Sequence, residues 1–127
     1  MLTRPEHGWA TVCLGGRKLD VSCIQPVPEM LLTALIRALT TDGTAELTFD
    51  AEGWEWRLAI GPQTCVTIPG ESPETWTVDL SAQVFAREVL MDIRRDMDAW
   101  CVWQNAAGGM DDGWLLRLCN RLETLLN

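Results

Sequence analysis

The chain has no tyrosine and only one histidine, His7, among its 127 residues. Nucleophilic and acid–base templates lean on a positioned imidazole, and His7 falls in the first eight residues, ahead of the first strand pattern. No Cys–His or Ser–His pair is therefore expected. The sequence contains no GxGxxG, P-loop or GxSxG segment, which removes the familiar phosphate cradles and the nucleophile elbow. It has no CxxC, and no histidine lies near any cysteine, so the common zinc and dithiol patterns are absent too. No apolar run approaches the roughly 18 residues of a membrane span. The stretch Met1–Val12 carries Arg4, Pro5, Glu6 and His7 rather than the apolar core of a signal peptide. Basic residues are scarce as well. Ten stand against 18 acidic residues, for a net charge of −8, and that sign repels nucleic acid.

What is present reads as one globular α+β domain, residues 1–127, with 1–8 as a loose N-terminal arm. Hydrophobic residues make up 47% and charged residues 22%, enough apolar material for a core without a disulfide or metal staple. The five cysteines, Cys13, Cys23, Cys65, Cys101 and Cys119, read as reduced thiols in a cytoplasmic protein. Cys13 and Cys23 flank a hairpin turn at Gly15-Gly16. A two-residue loop sets Cys13 opposite Lys18 and a four-residue loop sets it opposite Asp20. In either register the two thiols face opposite sides of the sheet, which disfavours a bridge.

Period-two alternation marks strands over 9–14 and 17–24, then over 44–50, 54–60, 63–68 and 75–80. Pro26-Val27-Pro28 breaks the first pair and opens a helix carrying Leu31, Leu32, Leu35, Ile36 and Leu39. Ser81 caps a long helix running to about Asn105, with Phe85, Val89, Ile93, Met97 and Trp100 along one stripe. Asp111 or Asp112 caps the last helix, with Leu115, Leu118, Leu122 and Leu125. The order ββα-ββββ-αα predicts a two-layer sandwich: one antiparallel sheet of about six strands, with three helices on one face. Leu35, Leu47, Trp56, Val78, Phe85, Ile93 and Leu118 are expected to be buried together.

The opposite sheet face is the main candidate site. It gathers Asp20, Glu46, Thr48, Glu55, Arg57, Thr67, Thr75 and Thr77, with Thr11 and Ser22 beside them, into an acidic, threonine-rich surface open to a partner. A second candidate is the carboxylate stripe Glu88, Asp92 and Asp96, four residues apart on one helix face and read as solvated or partner-facing. The third involves tryptophan. Seven tryptophans occur against two phenylalanines; Trp54, Trp56, Trp76 and Trp100 fall on core stripes, while Trp103 and Trp114 are expected to meet at a helix corner that can anchor a partner.

Val27-Pro28 with Leu31-Leu32-Thr33-Ala34-Leu35, the strand Ala45–Asp50, Trp54-Glu55-Trp56-Arg57-Leu58 and Phe85-Ala86-Arg87-Glu88-Val89-Leu90 together resemble a set of small bacterial α+β proteins. In size, acidity and tryptophan content the chain is also similar to immunity proteins of bacterial toxin systems. These resemblances imply a cytoplasmic bacterial domain and carry over no catalytic residue. The function expected is binding of a basic protein partner, without catalysis, cofactor, metal, nucleic acid or membrane. A toxin-neutralising role is one form of it. The alternatives are an acidic secretion-chaperone-like homodimer, and an enzyme working through Glu46, Glu55, Asp79 or Glu88.

Overall fold

The computed structural model describes residues 1–127. Its elements run β1 (Trp9–Leu14), β2 (Arg17–Ser22), α1 (Val27–Ala38), β3 (Ala45–Asp50), β4 (Glu55–Ile60), β5 (Thr64–Ile68), β6 (Glu74–Val78), α2 (Ala82–Arg95), α3 (Met97–Ala106) and α4 (Asp112–Leu126). The α+β class and all six strands appear, although β2 and β6 each end two residues before the alternation predicts. The single six-stranded sheet does not: β1 and β2 form a separate hairpin, and β3-β4-β5-β6 form an antiparallel meander. Nor are there three helices, because the long one divides.

Gly15 and Gly16, at φ 58° and 80°, make the two-residue turn whose positive φ values suit glycine. Leu14 then faces Arg17 and Cys13 faces Lys18. The hairpin lies over the apolar side of the meander. Arg17 stacks 4.0 Å above the Trp76 ring, and the Trp56 indole N–H donates to the Asp20 carbonyl at 2.9 Å. β2 also lies beside β3 but does not pair with it. The Gln25 side chain occupies that edge instead, donating to the Thr48 carbonyl at 3.2 Å and accepting from the Asp50 N–H at 2.7 Å.

Helix α1 is the centre of the fold. Val27, Leu31, Leu32 and Leu35 are fully buried, and α1 packs against β3, β4 and the other three helices. The expectation that all helices share one sheet face is thus corrected, since α2 and α4 pack chiefly on α1 and on each other. Leu35, Trp56, Val78, Phe85, Ile93 and Leu118 are buried in one core, with Leu47 half-buried against it. Trp54 departs from its expected core position and is 40% exposed, because it precedes β4 at the Gly53 turn.

The division between α2 and α3 falls at Asp96, whose φ and ψ are −116° and 36°. No proline or glycine causes it. The Asp96 carboxylate accepts from Arg4 and from Arg95, at 3.2 and 2.9 Å. The bend turns α3 so that Trp100 and Trp103 enter the core, with ring centroids 5.3 Å apart. Residues 1–8, expected as a loose arm, are also tied down. Leu2 is buried and bridges Val12, Glu6 bridges Trp9, and the Thr3 N–H donates to the Thr11 carbonyl at 3.1 Å.

Candidate functional site

The sheet registers place the predicted face residue by residue. One row across the meander reads Glu46, Ala59, Cys65, Thr77, and the next reads Thr48, Arg57, Thr67, Thr75. Asp50 and Glu55 begin a third row. Because side chains alternate across a strand, both rows point away from α1 and the hairpin. Glu46, Thr48, Glu55, Arg57, Thr75 and Thr77 are exposed, and Thr67 is half-buried. No helix covers them. Thr67 and Thr75 share a hydrogen bond of 3.2 Å, and Arg57 lies 3.6 Å from Glu55. Glu46 and Asp50 have no ion-pair partner. The small Ala59 side chain leaves a shallow depression of about 230 Å³, bordered by Glu46, Arg57, Cys65 and Thr67.

Three predicted members of this face lie elsewhere, because the hairpin is a separate sheet. Asp20 is exposed on β2, with its carboxylate 3.4 Å from the Thr11 hydroxyl. Both border a different depression, beside the N-terminal arm. Ser22 is buried and donates to Glu52 at 2.6 Å.

The carboxylate stripe is overturned as a solvated surface. Glu88 is exposed, but Asp92 and Asp96 are only 8% and 7% exposed. Asp92 accepts the Leu2 backbone N–H at 2.8 Å and an Arg95 N–H at 3.0 Å. Arg95 also donates to the Leu2 carbonyl at 3.1 Å. One carboxylate, Asp92, and one arginine, itself held by Asp96, thus clamp one residue of the N-terminal arm by both of its backbone groups. This satisfies the rule that a charge removed from water must be paired and hydrogen-bonded. Arg4 extends the cluster to Asp98 at 2.9 Å. The Arg4 hydrogen bond holds the exposed Asp98 carboxyl below its ordinary value, and these carboxylates raise the guanidinium of Arg4.

The predicted Trp103–Trp114 corner does not form. Trp103 is buried, pairs with Trp100, and donates its indole N–H to the Gln25 carbonyl at 2.9 Å. Trp114 is half-buried, with the Arg117 guanidinium 5.5 Å from its ring. It borders a groove of about 460 Å³ between α1 and β3, together with Met30, Ala34, Leu47 and Met110. Sequence patterning missed this groove, whose residues come from three separate segments. It also missed Gln25, whose neighbours Ile24 and Pro26 give no sign of a role.

His7 has φ 54° and borders a groove of about 400 Å³ with Cys23, Asp98 and Val102. All five thiols are free. Burial raises the Cys119 thiol to about 11, and burial followed by the nearby Asp112 carboxylate raises that of Cys101. No three His, Cys, Asp or Glu side chains are gathered closely enough to hold a metal ion. No helix is long and apolar enough to cross a membrane. No known protein family, characterised protein or solved structure matches this chain.

Proposed function

We propose that the chain is a cytoplasmic protein-binding module whose open meander face engages a basic protein without catalysing a reaction on it. The observation that carries this is the uncovered face itself. Its acidic groups, Glu46, Asp50 and Glu55, outnumber its one cation, Arg57, on a rigid antiparallel scaffold. The net charge of −8 adds a long-range field of the same sign, which steers and accelerates a cationic partner. Neutralisation of a toxin by an immunity-like protein is one concrete form of this function. Its support is the likeness in size, acidity and tryptophan content.

The test is affinity capture with the wild-type chain and with Glu46→Lys/Glu55→Lys in parallel. Both positions are exposed, so the double variant is expected to stay within about 0.5 kcal/mol of wild-type stability per site. Wild type is expected to retain a basic protein that the charge-reversed chain loses. Equal retention by both chains would remove this face from the function.

A further inference from the structure

The two edges of the meander are treated differently. Antiparallel pairing makes each residue direct both backbone groups to the same side. The Ala51 N–H donates to the Trp54 carbonyl, so the odd-numbered residues of this segment face β4. Gln25 bonds to Thr48 and Asp50, which confirms that the even-numbered residues face outward. Gln25 therefore fills two of the outward positions of β3. The Glu46 N–H, the Glu46 carbonyl and the Thr48 N–H are left without a partner, because β3 pairs only with β4.

These open groups adjoin the α1–β3 groove. The groove is bordered by Ala45, Glu46 and Leu47 in succession, and consecutive strand residues alternate faces, so it runs along the strand edge. Its apolar side is built by Met30, Leu47, Met110 and Trp114; its charged rim is made by Glu29 and Glu46, neither in an ion pair, and by Arg37, whose charge is taken up by Asp42 at 3.0 Å. None of the larger grooves borders the β6 edge.

Resting on the reading of a basic protein partner, the geometry points to the way that partner docks. An extended segment of the partner adds as a strand to the free half of β3, up to the Gln25 amide. The free stretch accommodates about four to five residues at ~3.3 Å each. Alternate side chains of the incoming strand fall on opposite faces. One set is apolar and enters the α1–β3 groove. The other is lysine or arginine and pairs across the strand with Glu46.

The probe is an acetylated, amidated heptapeptide of alternating valine and lysine, titrated into the ¹⁵N-labelled chain. Its comparison peptide has the same sequence but is N-methylated on alternate residues, so it keeps the charge and loses edge bonding. The expected result is perturbation and slowed exchange of the Glu46 and Thr48 amides, with at least tenfold weaker binding of the N-methylated peptide. Thr48→Pro removes one free edge donor without touching the β3–β4 ladder, and is expected to weaken the unmethylated peptide at least tenfold. Equal binding of the two peptides to wild type would overturn strand addition while leaving the basic-partner reading intact. Binding of neither would overturn strand addition, while the basic-partner reading stands or falls on the capture experiment. Perturbation at Thr75 and Thr77 in place of Glu46 and Thr48 would move the contact to the β6 edge and also overturn the inference.

Discussion

Gln25 bonds to Asp50 as a neighbouring strand would: its Oε1 accepts the Asp50 N–H at 2.7 Å while its Nε2 donates to the Thr48 carbonyl at 3.2 Å. The same residue accepts the Trp103 indole N–H through its own carbonyl. One side chain and one peptide group thus join the β3 edge, the start of α1 and the buried Trp103 of α3. They also shorten the exposed edge, a recognised liability of open sheets.

Gln25→Ala removes both edge bonds and leaves the Trp103 contact. A net hydrogen bond contributes about 0.5–1.5 kcal/mol, so a loss of about 1–2 kcal/mol is expected in urea unfolding. The Asp50 amide should exchange faster than in wild type. Unchanged stability together with unchanged Asp50 exchange would show that the clip does not hold in solution.

Asp92→Ala tests the clamp on the N-terminal arm. It leaves the buried Leu2 N–H without its acceptor and deprives Arg95 of one carboxylate, at an expected cost of about 2–3 kcal/mol. Asp98→Ala breaks only the exposed pair with Arg4, leaves the Arg4–Asp96 bond in place, and should cost markedly less. Equal costs for the two variants would contradict the distinction between clamp and surface pair.

The difference between those pairs also shows where sequence reasoning reaches its limit. Local signals were legible: Gly15-Gly16 marked the hairpin turn with two registers open, of which the two-residue loop is the one formed; period-two alternation marked the strands; Ser81 caps its helix through Val84; and of the two candidate aspartates Asp111 caps the last through Trp114. Long-range burial was not. Asp92 and Asp96 have the spacing of a solvated helix face, and only the docking of Leu2 and Arg4 from some 90 residues away makes them interior. The break at Asp96 depends on the same docking and has no proline or glycine to announce it. For the candidate face, alternation identified the meander residues. It could not tell that Asp20 and Ser22 belong to another sheet, because strand order is a tertiary property.

Two exposed carboxylates contribute to the acid limb of stability. Asp98 is lowered by hydrogen bonds from Arg4 and then from its own helix backbone, and Glu123 by the hydrogen bond from Arg94. A group lowered in the folded state contributes stability above its unfolded-state value and loses it as pH falls through the folded value. Asp98→Asn/Glu123→Gln is therefore expected to melt below wild type at pH 7, with the gap closing toward pH ~2. A gap that persists there would assign the effect to something other than ionisation. Added salt should shrink it at neutral pH.

Thiol chemistry separates interior from surface. With its value raised to about 11, Cys119 holds almost no thiolate at pH 8, and it is buried as well. Iodoacetamide should modify Cys13, Cys23 and Cys65 well before Cys119 in the native chain, and all five at similar rates in urea. Rapid native modification of Cys119 would contradict its burial on the inner face of α4.

Cys65 lies on the open face, between Ala59 and Thr77, and so reports on that face directly. The most direct measurement is the alkylation rate of each cysteine, with and without the basic partner captured by the wild-type chain. Partner binding is expected to slow Cys65 at least severalfold and to leave Cys13, on the hairpin, unchanged; Glu46→Lys/Glu55→Lys should abolish that protection. Protection of Cys13 or Cys101 with Cys65 unaffected would place the partner on another surface and contradict the account.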